Sequence, residues 1–273
     1  MTNSPTLTNY SALARNRMRA NKAFEPFLHR LVADEIKDRL SMIKKSFNAP
    51  GIVTGYPGFW GAEIPDGTVV SDEDTLSFVP GGHDLVVHAM ALHWANDPVG
   101  QLIQCRHALQ SDGLFMAALF GGRTLHELRA SLAQAESEIS GGLSPRVAPM
   151  AEIRDLGDLL QRAGFALPVA DSLLFTASYQ SPWHLMRELR AMGEQNALSG
   201  RLEHFSRRKI FDRAVQLYIN NFGGTDGRIP ATFEVVFLVG WAPDPSQPQP
   251  LRPGSARARL ADALGVAEVP VKD

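Results

Sequence analysis

Cysteine is nearly absent, with Cys105 the only one among 273 residues. A single thiol excludes an internal disulfide and a cysteine-based metal cluster, and it suits a reducing compartment, where it reads as a core thiol. Long apolar runs are missing too. Nothing approaches the roughly 18 to 20 residues of a membrane-spanning helix, and the early chain, with Asn3, Pro5 and Asn9, lacks the apolar centre of a secretory signal. Neither sign of charge dominates, since 27 Lys and Arg stand against 29 Asp and Glu for a net charge of −2. That balance gives no electrostatic reason to expect nucleic acid or an anionic membrane as partner. The expectation is a cytoplasmic globular protein with no membrane insertion. Residues 1–23 contain Arg15, Arg17, Arg19 and Lys22 and no acid. They read as a flexible segment with a solvated basic helix face, the alternative being a mitochondrial presequence.

Catalytic motifs are equally sparse. No Gly-x-Ser-x-Gly elbow occurs, which argues against hydrolase chemistry. His88, His93 and His107 lack the i, i+4 spacing of a zinc-protease helix, so no metal is expected.

What the chain does contain is alternation. Phe27, Leu28, Leu31, Val32, Ile36, Leu40 and Ile43 recur at spacings of three and four, an amphipathic helix over 24–45 that should pack on a sheet. Short apolar strands follow at 51–53 and 68–71, then a central strand at 84–90. Asn96-Asp97-Pro98 caps the next helix, which carries Leu102, Ile103, Cys105 and Leu109 and stops at Ser111-Asp112-Gly113 before a buried strand over 114–120. Strand, helix, strand, helix implies an α/β fold whose mostly parallel sheet gathers ligands at the carboxyl ends of its strands. Further helices are expected at 124–139, 153–163, 182–192 and 209–220. A late strand, 231–241, should lie antiparallel near the sheet edge. Gly121-Gly122 and Gly141-Gly142 suggest hinges around a helical cap inserted at about 121–150. The domain then runs from 24 to 241, and 242–273 reads as a proline-rich linker with a short helix around 256–264.

Several of these motifs together resemble a known family. Asp84-Leu-Val-Val-His-Ala-Met-Ala-Leu-His-Trp-Ala-Asn-Asp-Pro98, followed by Asp112-Gly113, resembles the central block of class I (type 11) S-adenosylmethionine-dependent methyltransferases. Phe120-Gly-Gly-Arg-Thr-Leu-His-Glu-Leu-Arg129, Gly142-Leu-Ser-Pro-Arg-Val-Ala-Pro149, Arg154–Phe165 and Pro230–Trp241 are similar to the branch holding biotin-synthesis-type methyltransferases and the mitochondrial complex I assembly factor, an arginine hydroxylase. The tail Pro250–Asp262 is similar to its alphaproteobacterial members. The resemblance implies a Rossmann-like sheet and S-adenosylmethionine as cofactor. It places Gly55 and Gly58 in the cofactor loop, Asp72 and Glu73 at the adenine, and His93 and Trp94 at the substrate pocket. Implied partners are a small-molecule or protein acceptor, or a protein in respiratory-complex assembly.

One block departs from the family pattern. The loop expected as Asp-x-Gly-x-Gly-x-Gly is here Val53-Thr-Gly-Tyr-Pro-Gly58. The acid for the cofactor ammonium becomes Val53 or Thr54, and Pro57 removes a backbone donor. Residues 51–71 are also too few for three strands and a helix, because a βαβ unit takes about 30 residues. The first βαβ unit is therefore read as truncated, with the ribose-binding acid lost. The functional readings are a methyltransferase, an arginine hydroxylase that uses the same cofactor, or an inactive relative kept as a binding and assembly factor.

Overall fold

The computed structural model describes residues 6–21 and 24–248. Eight α-helices and six strands occur among them, the strands forming one sheet in the order β2-β1-β3-β4-β6-β5. The strands are β1 (Pro50–Val53), β2 (Thr68–Val70), β3 (His83–Ala89), β4 (Leu109–Phe120), β5 (Ala166–Tyr179) and β6 (Ile229–Trp241). The first four run parallel and β6 pairs antiparallel with both β4 and β5. This is a Rossmann-like mixed α/β sheet. The truncation is visible in it: residues 50–70 supply β1, a two-turn helix α3 (Pro57–Glu63) and β2, and no further strand separates β2 from β3.

Local chemistry explains the helix ends. Helix α1 (Tyr10–Ala20) begins where the Asn9 side chain accepts from the Ala12 amide. In α4 (Pro98–Ala108) Asp97 accepts from the Gly100 amide and Pro98 occupies the first turn, where its missing N–H costs nothing. In α7 (Pro182–Ala191) Ser181 caps in the same way. Helix α5 (His126–Ser140) ends at Gly141, whose φ of 69° is the left-handed stop that glycine adopts without strain.

Alternation along the strands divides the core into two layers. Ile52, Val87, Leu114, Met116 and Phe237 face α2 (Phe27–Ser41), α5, α7 and α8 (Arg208–Phe222), packing on Leu28, Val32, Leu132, Leu185 and Leu217. Val53, Val86, Phe115, Ala117 and Leu238 face α4 and α6 (Ile153–Arg162), where Leu102, Cys105 and Leu160 are buried.

Two sequence expectations change. Residues 10–20, within the stretch read as flexible, are a helix whose Ala12, Leu13 and Ala20 are buried. Arg17 is largely withdrawn from solvent, with its side chain 11% exposed, because it shares the stripe of Leu13 and Ala20 (i, i+4, i+7), whereas Arg15 and Arg19 are exposed. Helix α4 ends at Ala108, and β4 starts at Leu109, with a register shift opposite His83–Leu85. As expected, β6 is antiparallel and lies next to the sheet edge, which β5 forms. After Pro243 a second unit begins, of which Asp244–Pro248 are described: Asp244 accepts from the amide and hydroxyl of Ser246 in a tight turn. Lys22, most of the proline-rich stretch and the expected 256–264 helix lie outside the described residues.

Candidate functional site

The carboxyl ends of β1, β2 and β3 come together, as the parallel topology requires. After β1 the chain runs Thr54-Gly55-Tyr56 into α3, and the Thr54 amide donates to the Val70 carbonyl across to β2. After β2 come Ser71, Asp72 and Glu73. After β3, Met90 (φ 52°) turns the chain into a short 3-10 turn, Leu92–Trp94.

Arg17 of α1 reaches into this junction. Its two terminal nitrogens donate to the two Asp72 oxygens at 2.7 and 2.8 Å, with side-chain exposures of only 11% and 8%. Such fork-to-fork pairs combine charge with fixed geometry. Burial works against the guanidinium charge, yet Asp72 holds its pKa above the ordinary value. The guanidinium lies so close to Gly55 that a Cβ there would collide with it, and it sits 5.6 Å from the Tyr56 ring centroid. Glycine is needed at 55 for this close approach. At Gly58, by contrast, a side chain would meet open space.

Tyr56 closes the inner side. It stacks on Phe24 at 4.6 Å, meets His29 edge-on at 4.8 Å, and its hydroxyl donates to the Met192 carbonyl at 2.5 Å. That bond ties the β1 loop to the end of α7, where Gly193 takes φ +78° and leaves no room for a Cβ beside the Tyr56 hydroxyl. The reversal aims Glu194 at the turn after β3. Its carboxylate accepts from the Trp94 indole at 3.0 Å and lies 3.4 Å from His93 Nε2. Burial opposes that charge, but the His93 contact and the nearby Arg17 hold the Glu194 pKa below the usual carboxylate range.

Trp94 and Glu194 also line a cavity of about 300 Å³ beneath α5 and α8, walled mainly by apolar side chains such as Leu128, Met150, Met186 and Phe211. Arg146 and Arg190 reach it as well, Arg146 being paired with Glu136 at 2.6 Å. His93 packs behind it, 4.8 Å from the Phe120 ring.

The structure thus gathers Gly55, Asp72, Glu73, His93 and Trp94 around one junction. Asp72 is no solvated loop acid, while Glu73 is exposed and offers its backbone carbonyl to Gln101. Arg17, Tyr56, Gly193 and Glu194 complete the junction and escaped the sequence reading. For Arg17 the signal was its phase with Leu13 and Ala20. For Glu194 there was none. Elsewhere, a Cβ added at Gly121 would meet Glu234 and Val236 closely. His88 is buried on Gln101 at 2.9 Å.

S-adenosylmethionine, the group this fold implies, does not fit these residues. No acid stands at the end of β1, where Val53 is buried in the sheet and the Thr54 hydroxyl accepts from the Tyr56 amide. Pro57 offers no N–H, and the Arg17 guanidinium occupies the space on the side of Gly55 where a Cβ would stand. An open groove of about 660 Å³ runs along this same loop, lined by Tyr10, Arg17, Thr54, Gly55, Asp72 and Thr75.

No family model matches the chain. Among curated proteins, a malonyl-[acyl-carrier protein] O-methyltransferase from Methylovorus is 32% identical over 226 residues, covering 82% of this chain and 72% of the relative. The chain belongs to the class I S-adenosylmethionine-dependent methyltransferase family. Within that family it is also similar to the mitochondrial arginine-hydroxylase NDUFAF5 of Homo sapiens, at 40% identity over 200 residues, and of Danio rerio, at 38% over 208. These alignments take in 73% and 76% of this chain but only 58% and 64% of the relatives. Among solved structures, a methyltransferase from Thermotoga maritima aligns with 85% of this chain and 99% of its own at 11% identity and a TM-score of 0.45. The strand order described above, and not that likeness, carries the fold. Among the described residues no helix is long and apolar enough to cross a membrane, and no cluster of His, Cys, Asp and Glu could hold a metal ion.

Proposed function

We propose that this methyltransferase-family chain is a binding factor that transfers no methyl group and takes a basic side chain of a partner polypeptide into the cavity beneath α5 and α8. The observation that carries the reading is Glu194, a carboxylate held ionised at the wall of a mainly apolar cavity. An apolar stem with a cationic head complements that arrangement, because a buried carboxylate is stabilised by a charge-assisted partner. The NDUFAF5 relatives are named for arginine, a side chain of this shape. The resemblance to an assembly factor supports the same choice, and a cytoplasmic setting suits the single unpaired thiol.

Calorimetric titration of the folded chain tests both halves of the proposal. S-adenosylmethionine and S-adenosylhomocysteine should give no heat, whereas an arginine-bearing peptide should bind, and bind at least tenfold more weakly when its arginine is changed to glutamine or the protein carries Glu194→Gln. Micromolar binding of S-adenosylmethionine, about −8 kcal/mol, would overturn the non-enzymatic half. A peptide response indifferent to both substitutions would overturn the other.

A further inference from the structure

We infer that Arg17 is a built-in substitute for the cofactor: α1 delivers a permanent cation into the cleft of the sheet, beside Gly55. The inference rests on the reading that this cleft takes no cofactor, and adds what fills it.

Four observations converge. The guanidinium is held by both Asp72 oxygens. It lies against the side of Gly55 on which a Cβ would stand. It sits beside the Tyr56 ring, and its Nε is buried without a partner of its own, as for a group placed by its surroundings. Around it stand the carboxylates of Asp72, Asp74 and Glu194. Asp74 is engaged by the Tyr10 hydroxyl and Glu194 by Trp94, which leaves Arg17 as the cation for Asp72. A cleft built to hold a positively charged small molecule thus keeps its charge balance with a side chain of the same polypeptide. Helix α1 is anchored for the task at both ends: Thr8 bridges Leu198 and the Asn9 amide donates to the Ala197 carbonyl, while the Asn16 amide group donates to the Gln195 carbonyl.

If Arg17 is a substitute ligand, its removal leaves a vacant guanidinium site that a free guanidinium can refill. The test is thermal unfolding of wild type, Arg17→Ala and Arg15→Ala, the last an exposed arginine on the same helix. Each is measured alone, with millimolar methylguanidinium, with methylammonium and with S-adenosylhomocysteine. Arg17→Ala should melt roughly 5 °C or more below Arg15→Ala, because Asp72 is left buried and unpaired. Methylguanidinium should restore much of that loss, methylammonium little, and S-adenosylhomocysteine should leave the wild type unmoved. If Arg17→Ala does not fold alone, Arg17→Gln carries the same comparison. Equal melting of the two alanine variants, or rescue that does not distinguish the two cations, overturns the substitute role while leaving the non-enzymatic reading intact. Stabilisation of the wild type by S-adenosylhomocysteine overturns that reading itself.

Discussion

The indole N–H of Trp60 donates to Nδ1 of His29 at 3.1 Å, which fixes the imidazole with its proton on Nε2. Burial pushes the His29 pKa down to about 4, and burial does the same to His88. Both rings stay neutral in the fold and take up a proton near pH 6.5 once unfolded. The unfolded chain then binds more protons between about pH 6.5 and 4, so stability falls as the pH drops through that window. Each ring contributes on the order of 3 kcal/mol to the loss. Urea melts at pH 7.5, 5.5 and 4.5 should show this decline, and His88→Gln should make it shallower. A flat profile across the window would refute the assignment.

Arg39 joins α2 to the edge strand. It donates to both Asp171 oxygens at 2.6 Å and lies 4.2 Å from the Phe237 ring centroid. The pair is partly solvated, so Arg39→Ala should cost about 1 to 2 kcal/mol in chemical denaturation. Asp171→Ala should cost less, because the ring contact survives it.

Gly121 and Gly142 belong to glycine pairs that look alike in sequence and sit differently in space. A Cβ at 121 would meet a Glu234 carboxylate oxygen at 2.6 Å, where Glu234 also accepts from the Arg123 amide. At 142 nothing lies within 4 Å. Gly121→Ala should lose roughly 1 to 3 kcal/mol of stability, while Gly142→Ala should unfold within about 0.5 kcal/mol of wild type.

Cys105 has no exposure, and burial pushes its thiol well above the usual range. The thiolate is the reactive form. Labelling by a disulfide reagent at pH 8 should therefore proceed no faster than global unfolding. Rapid labelling in native buffer would show that α4 opens on its own.

Most of the fold was legible because helices and strands leave local periods. The stripe from Phe27 to Ile43, the cap at Asp97-Pro98 and the run from Leu114 to Phe120 each report on residues close in sequence. The extra β4 residues after Leu109 were hidden by Ser111-Asp112-Gly113, which reads as a helix stop. The candidate site was half legible. The family-like residues Gly55, Asp72, His93 and Trp94 announce themselves through motif. The partners that define what they do come from 55 residues away for Asp72 and 100 for Trp94. No window of sequence connects such pairs, and Arg17 looks interchangeable with Arg15 and Arg19 until the helix has a neighbour.

The sheet is lopsided in how much backbone it locks. Strands β5 and β6 pair from Ala166–Trp241 to Tyr179–Ile229, whereas β1 and β2 are four and three residues long. Amide protons in the long antiparallel half should then exchange only through whole-chain unfolding, and those around Ile52 and Val69 through a smaller, earlier opening. The half of the sheet that faces a ligand in this architecture is the half that breathes. Helix α1 and the Arg17–Asp72 pair lie over that corner, so an opening there would loosen the ion pair that joins α1 to the end of β2.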